Sequence, residues 1–244
     1  EAGTGYNNID IEAARARGIT VCNIPAYSTE RVAHTAIMMI LNLSSSMQIQ
    51  QAMLARGDRS NFTKCMQVSH VEVNGKVLGV VGAGTIGREV IKVAQALGMK
   101  VLAYTRTPRA DEDNLKYVSL EELLKQSDYI SLHCPLTPQT RHMINKETIA
   151  MMKPTAYIIN TGRGALIDEP ALIEALKEGR IAGAGLDVQE TEPPVQDNPL
   201  YDMPNVILTP HMGWKGLETR QRLVSILAAN IQAFDEGRPQ NVVS

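Results

Sequence analysis

Cysteine is scarce in this chain: Cys22, Cys65 and Cys134 are three among 244 residues. An odd number with no Cys-x-x-Cys spacing argues against a disulfide framework and a structural zinc site, and no metal is expected. Such cysteine usage suits a reducing compartment, so a cytoplasmic protein is expected. Charge of one sign is lacking too, with 24 basic against 26 acidic residues and a formal net charge of -2. Nothing here matches nucleic acid or an anionic membrane, and a small-molecule partner is the better expectation. No apolar run approaches the roughly 20 residues that span a bilayer, and the N-terminus has no basic-then-apolar export signal. Internal repeats and low-complexity tracts are absent.

What the chain does have is apolar content, 44% of its residues, enough for one complete domain and pieces of another. It opens at Glu1 and runs at once into Gly3-Thr4-Gly5-Tyr6, a turn-like stretch that leads one to expect a segment before it. From residue 76, short β-branched runs alternate with helical stretches, at 76–81, 100–104, 129–133, 156–160, 181–186 and 206–208. That alternation predicts a parallel sheet with crossover helices. The runs are continuously apolar, as strands are when helices cover both faces, so the expected fold is α/β, a doubly wound (Rossmann) parallel sheet. Ser119 with Glu122 reads as a capping box, and Asp168 before Glu169-Pro170 as a helix N-cap. Residues 29–56 hold no Gly or Pro and are apolar at Val32, Ala36, Met39, Ile40 and Leu43, which predicts one long helix. Its Met38, Met39, Met47 and Met53 are assigned to core packing. A second amphipathic helix is predicted over 218–236, closed by Gly237 and Pro239.

Gly82-Ala83-Gly84-Thr85-Ile86-Gly87 follows the first strand of this series and opens a helix. In that context the pattern is a dinucleotide fingerprint: Gly82 allows the tight turn, Gly84 lets backbone approach a pyrophosphate, and Gly87 lets helix and strand pack closely. Backbone N–H groups of Thr85 and Ile86 then face phosphate at the positive end of the helix. About 20 residues on, the fingerprint expects an acid for the ribose 2'-hydroxyl. Here the strand ends in Thr105-Arg106-Thr107-Pro108-Arg109. Arginine suits a 2'-phosphate, so NADPH is expected to be tolerated or preferred. Alternatively, Arg106 and Arg109 are solvated loop charges and NADH binds through Thr105.

Three polar residues follow later strands, on the edge where open α/β sheets bind ligands: Arg163, Glu192 and His211. Arg163 lies between two glycines, and its natural role is to anchor a carboxylate. A histidine in a loop like that of His211 is more often structural, but Glu192 changes the balance. A carboxylate bonded to imidazole fixes its tautomer and lets it give a proton to a carbonyl near neutral pH. Cys134 beside His133 suggests a thiol pair, yet adjacent strand residues point apart. His34, His70 and His142 lack spaced acidic partners and read as structural or solvated.

With these motifs assembled, the chain resembles the D-isomer-specific 2-hydroxyacid dehydrogenases, and most of all the bacterial glycerate dehydrogenases (hydroxypyruvate reductases) among them. The resemblance rests on Gly3-Thr-Gly-Tyr-Asn-Asn-Ile-Asp10, Val80-Val-Gly-Ala-Gly-Thr-Ile-Gly87, His133-Cys-Pro-Leu-Thr137, Asn160-Thr-Gly-Arg-Gly164, Gly185-Leu-Asp-Val188 with Glu192-Pro193, and Thr209-Pro-His-Met-Gly213. It implies Arg163 as substrate-binding arginine, His211 as acid/base and Glu192 as its partner, with hydride exchanged between NAD(P)H and C2 of a small 2-hydroxy or 2-keto acid. It further implies cofactor contacts from His133, Cys134, Pro135, Thr161, Gly162, Arg163, Asp187, His211 and Gly213. Gly3, Thr4, Gly5 and Trp214 fall to the substrate, although Trp214 serves equally well as a packing residue.

The implied layout is a substrate-domain remnant over 1–27, with a flavodoxin-like fold in the family, a dinucleotide-binding domain over 28–214, and a helix over 215–244 returning to the substrate domain. A homodimer is implied as well. Glycerate and hydroxypyruvate, or glyoxylate, are the expected substrates. The alternatives are a phosphoglycerate- or lactate-type dehydrogenase, and an NAD(H)-sensing, corepressor-like interaction protein on the same fold.

Overall fold

The structure is a computed structural model that describes residues 1–107, 109–112 and 114–244. Pro108, within the 105–109 stretch, lies outside them. The chain forms two compact units, Glu1–Val32 with Met212–Ser244, and Ala33–His211. The first turn of the helix that starts at Thr29 is held within the smaller unit, where Arg222 donates to the Tyr27 carbonyl at 3.0 Å and reaches Glu30 at 3.9 Å.

In chain order the helices are α1 (Ile11–Ala16), α2 (Thr29–Ser44), α3 (Met47–Ala55), α4 (Ser60–Thr63), α5 (Thr85–Ala96), α6 (Leu120–Gln126), α7 (Lys146–Ile149), α8 (Glu169–Lys177) and α9 (Leu217–Asp235). The strands are β1 (Val77–Val81), β2 (Lys100–Tyr104), β3 (Leu115–Tyr117), β4 (Tyr129–Leu132), β5 (Tyr157–Asn160), β6 (Gly183–Leu186) and β7 (Val206–Leu208). They pair in parallel in the order β3-β2-β1-β4-β5-β6-β7. This is the doubly wound sheet that the apolar runs predict. Successive strand residues supply opposite faces: Val81, Leu132 and Ile158 pack with Leu123 and Leu172, while Val80 and Ile159 pack with Met39, Ile40 and Val90. Each fully buried aliphatic side chain of this kind contributes roughly 1.5–3 kcal/mol.

The predicted helix over 29–56 is two helices. Ser46 between them adopts a left-handed φ of 49°. Three consecutive serines explain the break: the Ser44 and Ser45 hydroxyls both donate to the Leu41 carbonyl, and Ser46 donates to Ser69 at 2.7 Å, so side chains compete with the helical ladder. Met39 is core, but α3 buries none of its residues and Met47 is 41% exposed. The short β3 lies below the length at which periodicity can be read. The capping box at Ser119 is half formed: Ser119 accepts the Glu122 N–H, whereas the Glu122 carboxylate accepts from Gln126. Asp168 caps α8 as expected, accepting the Ala171 N–H at 3.1 Å.

The smaller unit has its own core of Ile24, Tyr27 and Leu223, against which Trp214, Ile226 and Leu227 pack. Buried Asn230 donates to the Asn23 carbonyl at 2.9 Å and accepts from Asn241 at 2.8 Å, tying α9 to both flanking segments. Among the described residues, no helix is long and apolar enough to cross a membrane.

Candidate active site

Because every strand runs the same way, the turns after β1, β2, β4, β5, β6 and β7 gather at one edge of the sheet, and the strand order reverses between β1 and β4. That edge brings together Gly82, Gly84, Thr85, Ile86 and Gly87, then Thr105 and Arg106, His133 to Pro135, Thr161 to Arg163, Asp187 and His211. Gly3, Thr4, Gly5, Gly213 and Trp214 belong to the smaller unit. There Thr4 donates to the Ile24 carbonyl at 2.9 Å, and Trp214 packs on the Ile24 and Tyr27 core.

After β1, Gly82 has a φ of 99°, and a Cβ there would lie 2.7 Å from the Cys134 nitrogen. Only glycine makes this turn without strain. The helix α5 then starts with no side-chain cap, and a Cβ on Gly84 would meet nothing within 4 Å. Across the edge, the buried Thr161 hydroxyl has no hydrogen-bond partner among the described residues. Uncapped first-turn N–H groups, open space above Gly84 and an unsatisfied buried hydroxyl fit a dinucleotide bound along this edge.

Beyond β2, Thr105 donates to the Thr107 carbonyl at 2.7 Å and Arg106 is exposed. One other cation of this domain, Arg88, is committed elsewhere. Arg88 donates to both oxygens of Glu112, at 3.2 and 2.9 Å, and that bond, with Tyr117 and the charge of Arg109, holds the Glu112 carboxyl below its usual range.

After β4, the His133 imidazole lies deep in the protein, 2.7 Å from the Ser131 hydroxyl, although the residue keeps some exposure. Burial pushes its pKa down to about 4. Burial also pushes the Cys134 thiol up to about 11, so near neutral pH it is protonated and a poor nucleophile.

The β5 turn is held by buried Asn160, whose amide donates to the Arg163 carbonyl at 2.9 Å and whose oxygen accepts the Gly162 N–H at 3.0 Å. Half-buried Arg163 is thereby fixed at the strand end. After β6, Asp187 is 1% exposed and accepts the Thr209 hydroxyl at 2.5 Å, while its carbonyl accepts the His211 N–H at 2.8 Å. His211 has a left-handed φ of 48°, which costs on the order of 1–3 kcal/mol in a non-glycine residue. Its Nδ1 lies 2.7 Å from Glu192 Oε2, and Glu192 Oε1 accepts the Gln189 N–H at 3.1 Å.

Sequence reading missed Ser131, Asn160, Thr209 and Gln189. The first three stand beside residues it singled out, on or next to strand ends, and that adjacency was the available signal. It also took His142 to lack an acidic partner. His142 Nε2 lies 2.5 Å from Glu190 Oε1, a pairing across 48 positions that no local spacing reveals. Among the described residues, no cluster of histidine, cysteine and carboxylate side chains could hold a metal.

Residues 37–213 match the family model described as D-isomer specific 2-hydroxyacid dehydrogenase, NAD binding domain. The chain belongs to that family. This dehydrogenase is 45% identical over 245 residues to a hydroxypyruvate reductase of Blautia hydrogenotrophica, covering 99% of this chain and 76% of that protein. It is 43% identical over 246 residues to a glycerate dehydrogenase of Methylorubrum extorquens, covering 99% and 77%. Among solved structures, the NADPH-dependent glyoxylate/hydroxypyruvate reductase of Sinorhizobium meliloti, in complex with NADP and malonate, superposes with a TM-score of 0.90 at 34% identity, covering 100% of this chain and 76% of that one. The dehydrogenase is an NAD(P)-dependent oxidoreductase acting on 2-hydroxy and 2-keto acids.

Proposed function

We propose that this dehydrogenase interconverts hydroxypyruvate and D-glycerate, takes glyoxylate as a smaller substrate, and uses NADPH as well as NADH. The observation that carries the reading is the His211–Glu192 pair, with Nδ1 tied to the carboxylate and Nε2 without a partner among the described residues. In the reducing direction, Arg163 holds the substrate carboxylate and polarises the C2 carbonyl, and protonated His211 gives the Nε2 proton to the C2 oxygen. Glu192 keeps Nδ1–H throughout and so preserves the tautomer. In the oxidising direction neutral His211 takes the hydroxyl proton at Nε2. When bound, the nicotinamide supplies or accepts the hydride at C2.

The three-carbon substrate is supported by the names of the similar proteins above. NADPH use is supported by exposed Arg106 and by the missing carboxylate after β2. The test is turnover of hydroxypyruvate, glyoxylate and pyruvate, each with NADPH and with NADH. Hydroxypyruvate should give the highest kcat/KM. Preference for pyruvate would point to a lactate-type enzyme, and cofactor binding without turnover of any of the three would point to the sensing role. A kcat/KM more than about 100-fold higher with NADH would remove Arg106 from a phosphate pocket, since that corresponds to about 2.7 kcal/mol.

A homodimer is supported by exposed apolar side chains on and just after α2 to α4, at Leu41, Met47, Leu54, Phe62 and Met66. Sedimentation should give twice the protomer mass. The three unpaired cysteines suit a cytoplasmic location.

A further inference from the structure

We infer that Asn198 is a positioning residue for the Glu192–His211 pair, an inference that rests on the catalytic reading of that pair. Asn198 is 4% exposed and sits where a 3-10 turn, Pro199–Asp202, begins. Its side-chain oxygen accepts the Leu200 N–H at 3.0 Å. Its amide nitrogen donates to Glu169 Oε1 at 2.7 Å and to Gln189 Oε1 at 3.2 Å. Gln189 is the residue whose backbone N–H holds Glu192, so the Asn198 amide, by holding the Gln189 side chain, fixes the residue that aims the carboxylate at His211.

Glu169 tightens the same loop from its other side. Its Oε2 accepts the Glu190 N–H at 3.0 Å, and its own N–H donates to Glu190 Oε2 at 3.3 Å. Residues 189 and 190 are therefore fixed by one buried amide and one carboxylate that bond each other. The Asn198 side chain divides its two donors between Gln189 on this loop and Glu169, which braces the loop, and its oxygen caps its own turn. Glu192 itself is 37% exposed at its side chain, and among the described residues its carboxylate bonds only the Gln189 N–H and His211, so its aim depends on where residue 189 is held.

The test is Asn198→Asp in the whole protein. The variant keeps the shape and the oxygen that caps the turn, removes both donors, and sets a carboxylate against Glu169. The expected result is a kcat about 10- to 100-fold lower, with substrate KM and NADPH Kd within about twofold, as for a misaimed catalytic group. In the cofactor-free protein, the downfield proton resonance of the His211 Nδ1–H···Glu192 bond should broaden or vanish. Adding Glu169→Gln supplies an amide that donates to the new carboxylate while still accepting from Glu190. This double variant should recover at least about fivefold in kcat, the effect of restoring one hydrogen bond of about 1 kcal/mol.

An Asn198→Asp protein with unchanged kcat and resonance overturns the inference. So does one in which kcat and NADPH affinity fall together without recovery in the double variant, because that marks a general structural role. His211→Ala is the control: full turnover in that variant defeats the catalytic reading, whereas its loss alongside an unaffected Asn198→Asp defeats the positioning role alone.

Discussion

His211 and His142 each occupy a left-handed backbone position, φ 48° and 51°, and each reaches a glutamate of the loop after β6, Glu192 at 2.7 Å and Glu190 at 2.5 Å. They differ in which nitrogen is tied. His142 engages through Nε2, and Glu190 also takes Arg141 at 3.3 Å and the Glu169 N–H at 3.3 Å, so that charge is spent on joining three segments. His211 engages through Nδ1 and keeps Nε2 without a partner among the described residues. Glu192 is shared with one backbone N–H and nothing else described. The same two residue types therefore make a brace in one case and, under the proposed function, a proton-transfer group in the other. With nearly the same φ in both residues, it is the choice of tied ring nitrogen, Nε2 or Nδ1, that separates them.

The largest effect that separates the two pairs is on turnover. His211→Ala should lower kcat by about 100- to 10,000-fold with NADPH Kd nearly unchanged, while His142→Ala should stay within a few-fold of the native kcat. Equal losses in steady-state kinetics would break the comparison. Next comes a change that strikes both pairs. A Cβ at Gly164 would lie 1.9 Å from the Gln189 carbonyl oxygen, backbone against backbone, so the turn carrying Arg163 and the loop carrying both glutamates are pressed together there. Gly164→Ala should cost about 3 kcal/mol in a denaturant titration and lower kcat as well. Native stability in that variant would mean that the two loops do not share this contact in solution.

How much of this was legible beforehand follows from the range of the physics. The sheet was readable because burial on both faces writes continuous apolar runs, and the carboxyl edge then follows from strand direction alone. Arg163, Glu192 and His211 stood out as polar residues in turns after such runs. The broken helix at Ser44 to Ser46 was legible in principle, since three serines offer hydroxyl donors that compete for backbone carbonyls, but apolar periodicity masked it. The long-range bonds were not legible. Glu190 with His142 and Asn198 with Glu169 join residues whose separation in sequence says nothing about contact, and Asn198 in particular reads as an ordinary turn residue before proline.

A smaller effect probes the brace itself. Glu190→Gln removes the charge that His142 and Arg141 share while keeping the shape of the side chain. The pair is partly exposed, with 21% of the Glu190 side chain open to solvent, so screening limits the loss. About 1–2 kcal/mol is expected, a drop of roughly 2–8 °C in Tm by calorimetry, with kcat little changed. A Tm equal to that of the native protein would show that the brace contributes nothing and would leave Asn198 and Glu169 as the sole support of the loop.

His133 sharpens the contrast from the other side, because its imidazole, set deep in the protein, faces a serine rather than a carboxylate. Its pKa of about 4 in the folded chain lies below the value of about 6.5 for an unfolded one. Between those two values the unfolded chain binds the extra proton, so the stability that neutral His133 contributes is complete above pH 6.5 and is lost as the pH falls toward 4. Between pH 7 and pH 5.5 the native protein should therefore lose on the order of 1 kcal/mol more than His133→Asn, read as the difference in urea midpoints multiplied by the m-value. Coincident slopes for the two proteins would mean that His133 takes up its proton without unfolding, and that a hydroxyl partner at 2.7 Å serves this ring as well as a carboxylate serves the other two.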